Sequence, residues 1–208
     1  MQAVFAAIAS LLMVLASGWF SLQIKRGKYH PPIVTWAMFV MTVPLLAYAT
    51  AMHDGLGLSA VQAITDALLT TCVLVVMLRT GNWSFPKNLL EAIVSWCCIG
   101  LAILVICSWV VTRDHKDADW KLQVVLALSY LPLVWELATA QRNTQPWAFW
   151  ITLFVLSALS ILPARAVAAI DPDKELGVWY AWRATLCTGL TLIFMGIATL
   201  RERKRAAH

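Results

Sequence analysis

Four ionisable residues interrupt runs of the chain that are otherwise apolar. Asp66 stands in "VQAITDALLTT", Arg183 in "WYAWRATLCTG", Glu136 in "PLVWELATA" and Glu91 in "NLLEAIVSW". On insertion scales a charge at the centre of a membrane helix is unfavourable by roughly 2.5–3.5 kcal/mol, so such residues face protein or water and mark function. Glu91 lies close to the end of its run and can snorkel, so it weighs least. Measured from Gly57 and Gly177, which open their segments, Asp66 is nine residues in and Arg183 six. Three residues are about 4.5 Å along a helix axis, a difference an arginine side chain can cover if the two helices face each other. The pair then either binds a substrate or proton or serves as an ion pair locking two helical bundles; the third alternative is that the two never meet. Gln62 and Thr65 flank Asp66, with Thr70 and Thr71 a turn further on. Trp179, Tyr180, Trp182 and Thr185 flank Arg183. Polar groups beside aromatic planes are what a small-molecule site needs. Trp179 and Tyr180 lie nearer the membrane surface and read as part of an aromatic belt, whereas Trp182 is deeper. The candidate substrate-binding set is Asp66, Arg183, Gln62, Thr65, Trp182 and Glu136.

Other chemistries find little to work with. The last apolar run has no lysine for a Schiff base, and His30, His53, His115 and His208 all fall between or beyond the runs. No His or Cys spacing inside the runs suits a metal, and no Ser–His or paired-aspartate pattern suggests a protease. Cys72, Cys97, Cys98, Cys107 and Cys187 sit within apolar runs as small hydrophobes, with no disulfide framework. "DHKDAD" reads as a solvated acidic–basic loop in preference to a weak cation site. The expectation is a protein that is not an enzyme, with no cofactor and no metal.

These residues must be positioned by membrane helices. The 208 residues are 61% hydrophobic and 13% charged, with a mean hydropathy of +0.74; soluble domains are about 45–50% apolar and about 25% charged. A spanning helix needs roughly 20 mostly apolar residues, and seven stretches qualify: 2–24, 33–52, 57–78, 89–112, 121–141, 147–168 and 177–200. The connections are short and polar and hold no soluble domain. Residues 1–24 carry no charge, unlike the basic start of a signal peptide, so they are expected to remain as the first span. With Arg183 set aside, Lys25, Arg26, Lys28, Arg79, Lys87, Arg142, Arg201, Arg203, Lys204 and Arg205 fall on one side of the membrane. Arg113, Lys116, Lys121, Arg165 and Lys174 fall on the other. The richer side is expected to be cytoplasmic, with the N-terminus outside and the C-terminus inside. The net charge of +5 thus reports topology and not nucleic-acid binding. Pro44 and Pro132 lie inside spans, where proline interrupts helical hydrogen bonding, and are candidate hinges. The "RERKR" tail, Arg201 to Arg205, suits anionic headgroups.

"HPPIVTWAMFV" and "TQPWAFWITLF" both carry Pro-x-x-x-Trp at the start of a span, Pro32–Trp36 and Pro146–Trp150, 114 residues apart. The same slide places Leu45 on Leu159. Proline at a helix start and tryptophan at an interface are each common, so belt residues are the simpler reading of Trp36 and Trp150. The shared spacing, shared loop position and parallel direction of spans 1–3 and 5–7 together favour a duplicated unit. This predicts an all-α integral membrane fold of seven helices arranged three, one, three. Residues 1–84 and 118–208 are the repeats and 85–117 an inverting linker helix.

With "KRGKYHPPIVTWAMF" at the entry to the second span, the chain resembles the PQ-loop and SWEET superfamily of seven-helix membrane proteins, and most of all its uncharacterised bacterial branch. The resemblance covers nearly the whole chain through short motifs. It implies two three-helix bundles around a central pocket, alternating access by rocking of the bundles, and residence in a bacterial inner membrane. No literal Pro-Gln pair is present: the chain has Gln145–Pro146 and His30–Pro31–Pro32. Pro44, Pro132 and Pro163 answer to the helix-breaking prolines of sugar-carrying relatives in spans 2, 5 and 6, and span 1 has none. Asp66 and Arg183 occupy the spans where those relatives place asparagine. A charged pocket suits a polar or ionised solute better than a plain sugar. The expected partners are a small-molecule solute and the lipid bilayer, with homo-oligomers open and nucleic acid excluded. The function expected is a small-solute transporter; the alternative is a non-transporting receptor or partner-binding protein with a closed, apolar centre.

Overall fold

The computed structural model describes residues 2–54, 58–86, 89–112, 115–171 and 176–207. It consists of α1 (Gln2–Lys25), α2 (Ile33–Asp54), α3 (Leu58–Thr80), α4 (Leu89–Thr112), α5 (His115–Ser129), α6 (Leu131–Thr139), α7 (Trp147–Ala168) and α8 (Leu176–Ala206). Seven segments are long and apolar enough to cross a membrane, and α5 with α6 supplies the fifth. The protein is an all-α bundle of seven transmembrane helices. With every backbone bond made inside its own segment, helices can satisfy their polar groups in lipid without external partners. Large apolar side chains such as Leu11, Leu15, Trp96, Leu104 and Leu162 accordingly face outward.

The fifth span departs from the continuous helix expected over 121–141. It is interrupted at Tyr130, between Ser129 and Leu131. Pro132 sits at the second position of α6 and has no N–H to offer the preceding turn. The join is tight: the Tyr130 N–H reaches the Ala127 carbonyl at 3.2 Å, and the Val134 N–H reaches the Tyr130 carbonyl at 2.9 Å. Pro44 and Pro163, in contrast, are carried inside α2 and α7 without ending either helix.

Packing follows a simple plan. Helix α3 packs against both α1 and α2, and α8 against α7, α6 and α5. Helix α4 lies on α5, α6 and α2. The contacts of α1 with α7 and of α2 with α5 join these groups. The main core, including Phe20, Trp36, Met77, Leu122, Leu133, Trp150 and Met195, draws on α1, α2, α3, α5, α6, α7 and α8. A smaller cluster of Met38, Cys98, Ala102 and Val125 seats α4.

At one end of the bundle, where Lys25 closes α1 and Arg79 lies in the last turn of α3, the connections are tied together. Gly27 (φ +69°) ends α1 by a Schellman motif, its N–H on the Ile24 carbonyl at 2.8 Å and that of Lys28 on Gln23 at 3.1 Å. Gly81 (φ +68°) ends α3 the same left-handed way. The Asn82 amide then donates to the Ile24 carbonyl at 2.8 Å. Ser84 and the Pro31–Ile33 stretch exchange two backbone hydrogen bonds of 3.1 Å. This is called the basic end below.

Candidate functional site in the bundle centre

Asp66 and Arg183 come together, but not as a direct ion pair, one of the alternatives their spacing left open. Tyr180 stands between them. Its hydroxyl donates to Asp66 Oδ2 at 2.6 Å, and the Arg183 guanidinium carbon lies 5.0 Å from the centre of its ring. Residues three apart share a helix face, so α8 presents Tyr180 and Arg183 as a unit toward α3. Arg183 Nε donates to Gln123 Oε1 of α5 at 2.5 Å, so the guanidinium is engaged by a third helix. The result is a charge pair held apart. Asp66 Oδ1 is buried with no hydrogen-bond partner, and the terminal nitrogens of Arg183 make no hydrogen bond among the described residues.

Both side chains line a cavity of about 110 Å³. Its walls come from α1 (Met13, Ser17), α2, α3, the break in span 5 (Tyr130), α7 and α8. Several hydroxyls on these walls are already committed. Thr70 donates to the Asp66 carbonyl at 2.8 Å, Ser157 to Phe154 at 3.0 Å, Ser160 to Ser157 at 2.7 Å and Thr188 to Ala184 at 2.7 Å. The unmet hydrogen-bonding capacity of the charged lining therefore concentrates on Asp66 Oδ1 and the tip of Arg183. Trp150, also on the wall, buries an indole N–H without a partner.

Toward the basic end the cavity is bounded by aromatic rings. Phe20 of α1 stacks on Phe149 of α7 at 4.6 Å, and Trp36 lies 5.6 Å from Phe20 and 6.3 Å from Phe149. Trp150 meets Phe149 edge-on at 5.2 Å and Tyr130 at 6.1 Å. Trp36 and Trp150 were expected in the interfacial belt and are instead buried, 3% and 1% exposed. The Pro-x-x-x-Trp spacing explains this: four residues on, the indole lies one helical turn inside the entry proline, on the face that α2 and α7 turn inward.

The other sequence candidates lie elsewhere. Trp182 is 38% exposed and absent from the cavity wall, while Tyr180, read as belt, is on it. Successive helical positions point about 100° apart, so Trp182 and Tyr180 cannot share one face. Thr65 is half-buried on α3 and outside the wall. Gln62 is on α3, but its side chain falls outside the described residues. Pro44 follows the wall residue Val43, and Pro132 follows the break at Tyr130.

Glu136 belongs to a second place. It is 4% exposed near the basic end, where Ser84 Oγ donates to its Oε2 and Thr144 Oγ1 to its Oε1, each at 3.1 Å. It so joins the α3–α4 and α6–α7 connections. With buried Glu91, Lys28, His30, Arg142 and Arg205 it borders a vestibule of about 1150 Å³. Arg201 of α8 donates to the Ala138 and Ala140 carbonyls, capping α6 as a cation at a helix C-terminus does.

Among the described residues no group of three or more His, Cys, Asp or Glu side chains is placed to hold a metal. Sequence reasoning missed Gln123, Tyr130, Phe20 and Phe149. A polar residue in an apolar run and a residue two before a proline were the available signals for the first two; two phenylalanines in a hydrophobic chain gave none. Compared with protein families, curated proteins and solved structures, the chain matches none.

Proposed function

We propose that this protein is a carrier of small polar solutes that works by alternating access, built on the plan of the PQ-loop and SWEET superfamily. The observation that carries the reading is the central cavity, in which a buried carboxylate and a guanidinium from two different helices are held apart with bonding capacity to spare. A structural ion pair would close on itself; the desolvation of two charges is offset only when their geometry is good and their remaining valences are filled. The packing is in keeping with two triplets, spans 1–3 and 5–7: the third span of each touches both of its fellows, and α1–α7 and α2–α5 contacts lie between triplets. Transporter sites commonly lie near the midplane beside discontinuous helices, and Tyr130 at the break in span 5 is on the wall. The aromatic layer is the barrier at the basic end, which we take to be cytoplasmic, and opening there requires Phe20 and Phe149 to part.

The test is solute-dependent thermal stabilisation of the purified protein and uptake into proteoliposomes, across a panel of polar metabolites, beside Asp66→Asn and Arg183→Gln. A solute that stabilises the parent and neither variant, and is taken up saturably, is the expected result. If no solute stabilises the parent and both variants merely melt earlier, the pair is structural and a receptor or partner-binding role replaces the carrier.

A further inference from the structure

We infer that the solute is a compact zwitterion, its cationic group on Asp66 Oδ1 and its anionic group on the terminal nitrogens of Arg183. This rests on the carrier reading and narrows it to one charge class. Among the described residues the cavity is lined by one acidic and one basic side chain, Asp66 and Arg183. Each has unmet bonding capacity: Oδ1 is buried without a hydrogen-bond partner, and among the described residues only Nε of the guanidinium is hydrogen-bonded. Tyr180 and Gln123 each take one valence of one charge and leave the rest open.

Charge matching then selects among solutes. A neutral polyol leaves both side chains without a counter-charge. A simple carboxylate answers Arg183 and adds repulsion at Asp66, and a simple amine does the reverse. Only a molecule with both groups meets both, and buried charges are tolerated when paired and hydrogen-bonded. Guanidinium and carboxylate also form the strong, bidentate kind of hydrogen bond. Size is limited as well. A cavity of roughly 150 Å³ takes a molecule the size of benzene, with six non-hydrogen atoms, so about 110 Å³ suits a solute of roughly four to five such atoms, with six as the upper limit. The Trp36, Phe39, Phe149 and Trp150 walls give such a solute apolar contact on the side away from the charges.

The experiment uses the full chain in nanodiscs and in proteoliposomes, with four small probes: alanine as zwitterion, propionate as anion, ethylamine as cation and glycerol as neutral. Binding of alanine at least tenfold tighter than any other probe, with saturable uptake, is expected. Equal or tighter binding of propionate, ethylamine or glycerol overturns the charge assignment while leaving a carrier. Absence of saturable uptake and of stabilisation by all four overturns the inference, and the carrier reading is then decided by the wider panel of polar metabolites. Asp66→Asn should cut the preference for alanine over propionate at least tenfold, and an unchanged ratio overturns the role given to Asp66. Arg183→Lys keeps the charge and guards against misfolding of a neutral variant. It should weaken alanine and propionate together and leave ethylamine unchanged, and a selective loss of ethylamine binding would sink the assignment.

Discussion

At the scale of single residues the decisive group is Tyr180. Among the described residues its hydroxyl is the only hydrogen-bond donor to the Asp66 carboxylate. Removing it in Tyr180→Phe leaves a buried carboxylate with neither oxygen bonded, which costs about 1–3 kcal/mol or more for a charged group. The variant is expected to unfold at lower temperature in detergent; an unchanged melting temperature would mean that the bond contributes nothing. Glu136→Gln tests the basic end. Hydrogen bonds to a charged group are worth about 1.5–3 kcal/mol, and the Ser84 and Thr144 hydroxyls both donate to this carboxylate. Weaker anchoring of the 81–86 and 140–146 connections is expected, read as faster protease cleavage or faster labelling of a cysteine placed at Ser84. Equal rates in both proteins would remove Glu136 as a clasp. Nothing in "PLVWELATA" tells a clasp from a substrate ligand, because both need a buried carboxylate, and only the partners brought in by other loops separate them.

At the scale of elements, the carrier proposal makes the break in span 5 and the aromatic layer the parts that move. Pro132→Ala returns an N–H to the Ser129–Leu131 join and allows α5 and α6 to run together. The expected outcome is a protein at least as stable as the parent with uptake reduced roughly tenfold, the rate cost of about 1.4 kcal/mol on a conformational barrier. Undiminished uptake would show that the break is a passive kink. Phe149→Ala removes the ring that stacks on Phe20. Large-to-small changes of this kind cost about 3–5 kcal/mol in a packed core. Beyond that loss, the site is expected to become reachable from the basic end. A cysteine at Ser157, on the cavity wall, should then label with a small polar reagent added on that side. A variant that is destabilised but remains impermeable there would make the layer ordinary core and not a gate.

For the molecule as a whole, the excess of Lys and Arg at the basic end predicts its side of the membrane. A reporter fused after the C-terminus is expected to be active only when its chemistry proceeds in the cytoplasm, and the opposite result would invert the proposed direction of every span. The seven spans, their approximate ends and the polarity of the connections were legible in hydropathy alone, because a bilayer demands about 20 apolar residues for each crossing. The interruption of span 5 was legible only as a proline, since Pro44 and Pro163 send the same local signal and are absorbed within their helices.

What the sequence determined by itself is therefore the solvent and the count: a membrane chain of seven helices, with charges at Asp66 and Arg183 too deep to be accidental. Their axial match followed from helix rise, which is a local property. Tertiary structure decided which face each helix turns inward. A mean hydropathy averages over the circumference of a helix, so lipid-facing and core-facing tryptophans look alike in sequence. Trp36 and Trp150 turned out buried, Trp182 exposed, and Tyr180 placed between two charges. The distance between those charges, and with it the difference between a closed ion pair and an open site, depends on Gln123 approaching from a third helix. No spacing along the chain encodes that approach.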